Sequence, residues 1–105
     1  MLVLDAIGNP VRRQLLDALR GPPRTAGELA ATVPTISRPA VSRHLRLLRE
    51  AGLVRVRARG RERLYQLHPP GFASVGAWAA SFWDAALPRF AEVARALGDE
   101  DGDPP

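Results

Sequence analysis

A chain of 105 residues is long enough for one ordinary domain with a small core, and a hydrophobic content of 46% excludes wholesale disorder. The net charge of +4 hides an asymmetry, because positions 12 to 63 hold thirteen arginines against the four carboxylates of Asp17, Glu28, Glu50 and Glu62, while the remainder is net acidic. A half this basic points to an anionic polymer, since neutralised phosphates release counterions. The chain has no cysteine, which excludes disulfides, thiolate metal sites and thiol redox chemistry.

Leu2 to Ile7 is a short apolar run that can form a helix closed by Gly8. No basic residue precedes it and no run of about 18 apolar residues follows, so no secretory signal or membrane span is predicted and the protein is expected in the cytoplasm. Asn9-Pro10 is a helix start, because Asn accepts from a free backbone N–H and Pro at the first position lacks only a donor that had no partner. In the helix that follows, Val11, Leu15, Ala18 and Leu19 form one stripe opposite Arg13, Asp17 and Arg20, and Gly21-Pro22-Pro23 ends it. Arg12 lies near the apolar stripe and is read as structural, paired with a carboxylate or a helix end.

Thr25-Ala26-Gly27-Glu28 fits a capping box, and a short helix to about Thr32 is predicted. Val33 to Ile36 forms a turn, and Ser37 is the natural N-cap of the next helix. At about 100° per residue, Arg38, Ser42, Arg43, Arg46, Arg49 and Glu50 fall within one polar arc. Ala40, Val41, Leu45, Leu47, Leu48 and Ala51 fill the other side, with His44 in the middle of that stripe as a core or interface histidine. Gly52 supplies the left-handed stop.

From Leu53 the period changes from 3.6 to 2. Val54, Val56 and Ala58 alternate with Arg55, Arg57 and Arg59, Gly60 turns the chain, and Arg61 to Leu67 returns. A basic amphipathic helix followed by an arginine-studded hairpin is the pattern of a winged helix-turn-helix. The terminal helix, read over about Phe72 to Leu97, carries an apolar stripe that includes Val75, Phe82, Trp83, Leu87, Phe90 and Val93, and Pro88 falls on its polar side. The organisation expected is one domain over 1–98 and a disordered acidic tail over 99–105.

The fold class predicted is mainly α with a small β-hairpin (α+β), in the order α-α-α-α-β-β-α. This order resembles the ArsR family of winged-helix repressors over roughly Leu4 to Leu97. The sharpest parts of the likeness are Asn9-Pro10-Val11-Arg12, the segment Ser37 to Leu53 with Ser42-Arg43-His44-Leu45 at its centre, and the hairpin's Gly60 and Tyr65. E-A-G-L followed by a basic hairpin also occurs in MarR-like winged helices. The ArsR resemblance implies a homodimer paired through its first and last helices, at Leu2, Leu4, Val75, Trp78, Phe82, Trp83 and Phe90, on an inverted-repeat operator in double-stranded DNA. Metal-sensing members carry Cys pairs in the helix corresponding to Thr25 to Thr32, or Asp/His sets in the terminal helix. This chain has neither, so no metal site and no cofactor are expected.

Within that frame Ser37, Arg38, Ser42, Arg43 and Arg46 are the candidate recognition-helix contacts, since Arg reads guanine O6 and N7 and Ser takes either role. Thr25, Arg57, Arg59, Arg61 and Arg63 are the candidate wing and backbone contacts. Capping alone explains Ser37 and Thr25 equally well, and a charged edge that deters aggregation also explains the wing. Trp78, Phe82 and Trp83 could line a pocket for an aromatic effector, although dimer or core packing is the simpler account. His44 and His68, without cysteine, make a poor zinc site. No nucleophile pairing, phosphate-cradling loop or metal-ligand spacing appears, so an enzyme is not predicted. A winged helix acting as a protein or RNA adaptor is the remaining alternative.

Overall fold

A computed structural model describes residues 2–101, which divide into two compact units, with the boundary in the chain between Ala73 and Ser74. In the first unit, helix α1 (Val3–Ile7) leads into α2 (Pro10–Ala18), whose N-cap Asn9 accepts from the backbone N–H of Arg12 at 3.1 Å. Strand β1 (Arg24–Thr25) runs into α3 (Ala26–Ala31), and the recognition-type helix α4 (Arg38–Glu50) follows a four-residue turn capped by Ser37. Strands β2 (Val54–Arg59) and β3 (Glu62–Leu67) form the hairpin, and a single 3-10 turn over Pro69–Phe72 precedes α5 (Ala73–Asp101).

The core belongs to the first unit. Leu15, Leu16 and Leu19 from the α2 segment meet Leu29 of α3, Val41, Leu45 and Leu48 of α4, and Leu53 and Val54 at the hairpin entry. Leu15, Leu19, Val41, Leu45, Leu48 and Val54 are positions that helical and strand periodicity assigned to the inside, and Ala6, Leu16, Leu29, Val33 and Leu53 are added to them. The α4 C-terminus is closed by a Schellman motif: Gly52 has φ 79°, its N–H donates to the Arg49 carbonyl at 2.9 Å, and the Leu53 N–H donates to the Leu48 carbonyl at 3.0 Å. Leu48 and Leu53 are both fully buried, the apolar contact that accompanies this motif. The stop therefore also aims β2.

The sheet has one strand more than the hairpin expected. β1 pairs antiparallel with β3, Arg24 opposite Tyr65 and Thr25 opposite Leu64, so the strand order is β1-β3-β2. A two-residue strand is too short for any alternation to announce it, which is why Arg24 and Thr25 read as loop and cap. The hairpin closes through Gly60-Arg61, with Gly60 at φ 61° and no other residue type at positive φ, as a type II′ turn requires.

The second unit is α5, with Pro88 inside it. The helix runs through Asp101, three residues into the segment expected to be a tail from Asp99, and residues 102–105 lie outside the described residues. A helical ladder needs no apolar face to continue, so the acidic composition alone did not mark its end. Trp78, Phe82, Trp83, Phe90, Val93 and Leu97 on it are more than half exposed. Among the described residues, no helix is long and apolar enough to cross a membrane.

Candidate nucleic-acid interface

The basic half of the chain divides into arginines that hold the fold and arginines that face outward. Arg12 is the one charged side chain buried among the described residues, at 9% exposure. Its Nε donates to the Ala6 carbonyl at 2.7 Å and its Nη2 to the Asp5 carbonyl at 3.1 Å, satisfying the free acceptors at the C-terminus of α1. Its Nη1 lies 3.3 Å from Nδ1 of His44, which places a hydrogen bond between α2 and the inner side of α4. Arg12 thus pairs with a helix end and with His44, not with a carboxylate. Arg13 donates to the Ile7 carbonyl at 3.2 Å, Arg24 to the Ala18 carbonyl at 2.9 Å, and Arg20 to the Asp17 carboxylate at 3.0 Å. All four have local structural partners.

His44 is half-buried, and burial pushes its imidazole below its ordinary value of 6.5, with the positive charges of Arg12 and Arg43 acting the same way. A neutral ring leaves Nδ1 free to accept from the Arg12 guanidinium.

The outward face of α4 is built by its caps. Ser37 Oγ accepts from the Ala40 N–H at 3.2 Å, and Arg38 and Pro39 open the helix. With Val41, Leu45 and Leu48 locked in the core, Ser42, Arg43 and Arg46 are left exposed on the opposite side. Arg38 is exposed too, but its guanidinium is folded back over α3: a methyl group added at Gly27 would sit 3.6 Å from its Nη2. Of the candidate recognition residues, Ser42, Arg43 and Arg46 share one exposed helix face, with Arg38 held to one side and Ser37 engaged as a cap.

Thr25 closes a complete capping box: its hydroxyl accepts from the Glu28 N–H at 3.2 Å, and the Glu28 carboxylate accepts from the Thr25 N–H at 2.9 Å. That backbone hydrogen bond, then the Thr25 hydroxyl, holds the Glu28 carboxyl below its usual range. Thr25 also lines an open groove of about 560 Å3 with Arg57, Arg59, Glu28 and Glu62.

The four wing arginines do not share a face. Register sets Arg57 opposite Leu64, Ala58 opposite Arg63 and Arg59 opposite Glu62. Since paired residues point to the same side and neighbours alternate, Arg57 and Arg59 stand on one face, Arg63 on the other, and Arg61 in the turn. Glu62 lies 3.9 Å from Arg59 in an exposed pair, which relieves part of the like-charge crowding at the tip. The residues that join this face are Arg55, two positions before Arg57, and Arg49, on the polar arc of α4. With Arg46 and Glu50 they line an open cleft of about 650 Å3 between α4 and β2. The alternation and the helical phase both marked these two arginines, but the hairpin tip and the N-terminal half of the helix drew the assignment away from them.

Residues 7–57 match the helix-turn-helix domain family. The chain is 40% identical over 96 residues to the HTH-type transcriptional regulator Rv2034 of Mycobacterium tuberculosis, covering 91% of this chain and 89% of that one. It is 34% identical over 80 residues to the transcriptional repressor SdpR of Bacillus subtilis, covering 76% and 88%. Among solved structures it resembles a possible transcriptional regulator for arsenical resistance, with a TM-score of 0.70, 44% identity and coverage of 87% and 94%. It also resembles an ArsR family transcriptional regulator, with a TM-score of 0.67, 30% identity and coverage of 78% and 84%. The homodimeric winged helix-turn-helix DNA-binding domain of Mb0332 from Mycobacterium bovis matches with a TM-score of 0.59, 28% identity and coverage of 76% and 73%. These relatives are regulators of transcription and not enzymes, and the helix-turn-helix match agrees with the winged-helix element order described above: this chain belongs to the ArsR family of winged helix-turn-helix transcriptional regulators.

Proposed function

We propose that the protein binds double-stranded DNA in the cytoplasm as a homodimer on an inverted-repeat operator, represses by occupying a promoter, and needs no metal. The observation that carries this reading is the outward face of α4, where Ser42, Arg43 and Arg46 are exposed on a helix whose other side is locked into the core. Arg43 and Arg46 can each place two parallel donors on guanine O6 and N7, and Arg57 and Arg59 on the wing can hold the flanking backbone. A two-fold dimer would put its two recognition helices on half-sites about one helical turn apart.

The dimer reading is supported by the apolar stripe of α5. Trp78 and Phe82 pack edge-on at 5.0 Å between centroids, and Trp83 and Phe90 lie 6.0 Å apart, yet all four stay more than half exposed. Large aromatics left in water along one helix face are what an interface covers. The homodimeric Mb0332 domain supports the same reading by analogy.

The residues present do not fit the metal sites of metal-sensing relatives. Arsenite and zinc sites of thiolate type need cysteine, which the chain lacks. Among the described residues, no three His, Cys, Asp or Glu side chains converge. Zinc, cadmium or arsenite is expected to leave operator affinity unchanged, and a specific metal response in a fluorescence anisotropy titration would contradict the metal-free reading.

Selection of bound duplexes from a random pool tests the proposal as a whole. An enriched inverted repeat bound by two chains supports it, whereas a pool without enrichment favours a protein or RNA adaptor.

A further inference from the structure

We propose that the cleft between α4 and β2 is a clamp for the DNA sugar–phosphate backbone, in which Arg49 and Arg55 hold one strand of the duplex read by Ser42, Arg43 and Arg46. The inference rests on the DNA-binding reading above and extends its footprint to two arginines outside the recognition and wing sets.

Three observations carry it. The first is the supply of uncommitted charge. Arg12, Arg13, Arg20 and Arg24 each donate to a carbonyl or carboxylate of the fold, and Arg59 has Glu62 beside it. Among the described residues, Arg46, Arg49 and Arg55 are in no ion pair, although Glu50 lines the same cleft. Guanidinium groups gathered around one trough repel each other until an anion lies between them.

The second is the shape of the array. Arg46 and Arg49 are neighbours on one helix face, and Arg55 continues along β2 into Arg57 and Arg59 at steps of about 6.6 Å, two residues per step. A free nucleotide could fill the cleft but would not reach the row beyond it. A DNA strand carries a phosphate about every 3.4 Å of helix axis and can meet both. Arg is also the side chain whose planar fork fits phosphate with two parallel donors.

The third is access. Arg46, Arg49, Arg55, Arg57 and Arg59 are all exposed, so the cleft and the row beyond it are open to a ligand. Glu50 is the one acid in the cleft and opposes a phosphate there.

The test is a salt series on a duplex enriched from the random pool, using the full chain, with Arg49→Gln/Arg55→Gln and Glu50→Gln compared with wild type. Each lost phosphate contact lowers the slope of log affinity against log salt by about 0.9, so the double variant is expected to lose about 1.8 and, with binding equal at 1 M salt, to bind about sixtyfold more weakly at 0.1 M, with its preference for the enriched over a scrambled duplex retained. Glu50→Gln is expected to bind about two- to fivefold more tightly at low salt, a gain that misfolding cannot imitate. A double variant with wild-type slope and affinity would overturn the clamp, as would one that loses sequence preference at unchanged slope. If the double variant does not fold, Glu50→Gln decides alone, and unchanged binding counts against the clamp. A wild type that binds enriched and scrambled duplex alike would overturn the operator reading and the clamp with it. A wild-type slope with an unaffected double variant removes only the clamp.

Discussion

At the scale of single residues, arginine does two unlike jobs in this chain, and the partners of the guanidinium, more than its exposure, separate them. The Arg12 guanidinium has its stem in the core and three acceptors around its head: the Ala6 carbonyl, the Asp5 carbonyl and His44 Nδ1. Replacing it by Leu would leave buried carbonyls without donors, and a loss of about 2–3 kcal/mol is expected in urea unfolding. Arg43 and Arg59 should part company in binding. Arg43→Gln is expected to change preference at one base position by about 1–3 kcal/mol, and Arg59→Gln to weaken all duplexes and lower the salt slope by about one. Binding curves on single-base operator variants, taken at two salt concentrations, separate the two outcomes; the reverse pattern would mean that helix and wing roles are exchanged. His44 gives a pH signature. Its folded value is depressed below the unfolded 6.5, so the unfolded chain takes up the proton first as pH falls. The stability that neutral His44 contributes is therefore fully present above 6.5 and is lost on acidification from there down through the folded value. His44→Gln should flatten unfolding free energy across that window, and an unchanged pH profile would show that the ring is not held neutral.

At the scale of elements, most of the fold could be read from the chain because caps and periods agree. Asn9-Pro10, the Thr25–Glu28 box, Ser37 and Gly52 each placed a helix end where the structure has one, and the shift of period after Leu53 placed the hairpin. Three features were not legible, each for a physical reason. β1 has two residues and shows no alternation; the Arg12 to His44 contact spans 32 positions and depends on how α2 crosses α4; the separation of Arg63 from Arg57 and Arg59 depends on register. Part of the candidate site was visible as a polar arc, but its extension to Arg49 and Arg55 needed the cleft. The 3-10 turn carries another hidden constraint. His68 N–H donates to the Leu53 carbonyl at 2.9 Å, and any Cβ at Gly71 would collide with the Gly52 carbonyl oxygen. Gly71→Ala is expected to shift that turn away from the α4 stop and lower stability by about 1–3 kcal/mol, while Gly21→Ala, with open space around it, should be near neutral by thermal melting.

At the scale of the whole molecule, two compact units are each specialised: the first holds the core and the basic face, and the second is a helix with exposed apolar side chains. Trp83→Glu is expected to shift the protein from dimer to monomer in sedimentation velocity and to weaken operator binding with it, because each chain would then engage one half-site alone. The central claim is that this face reads sequence and does not only attract DNA. Its most direct measurement is the ratio of affinities for the enriched inverted repeat and a scrambled duplex of equal length at physiological salt. A ratio of roughly 10³ or more that collapses on Arg43→Gln is expected; equal affinity for the two duplexes would contradict the claim.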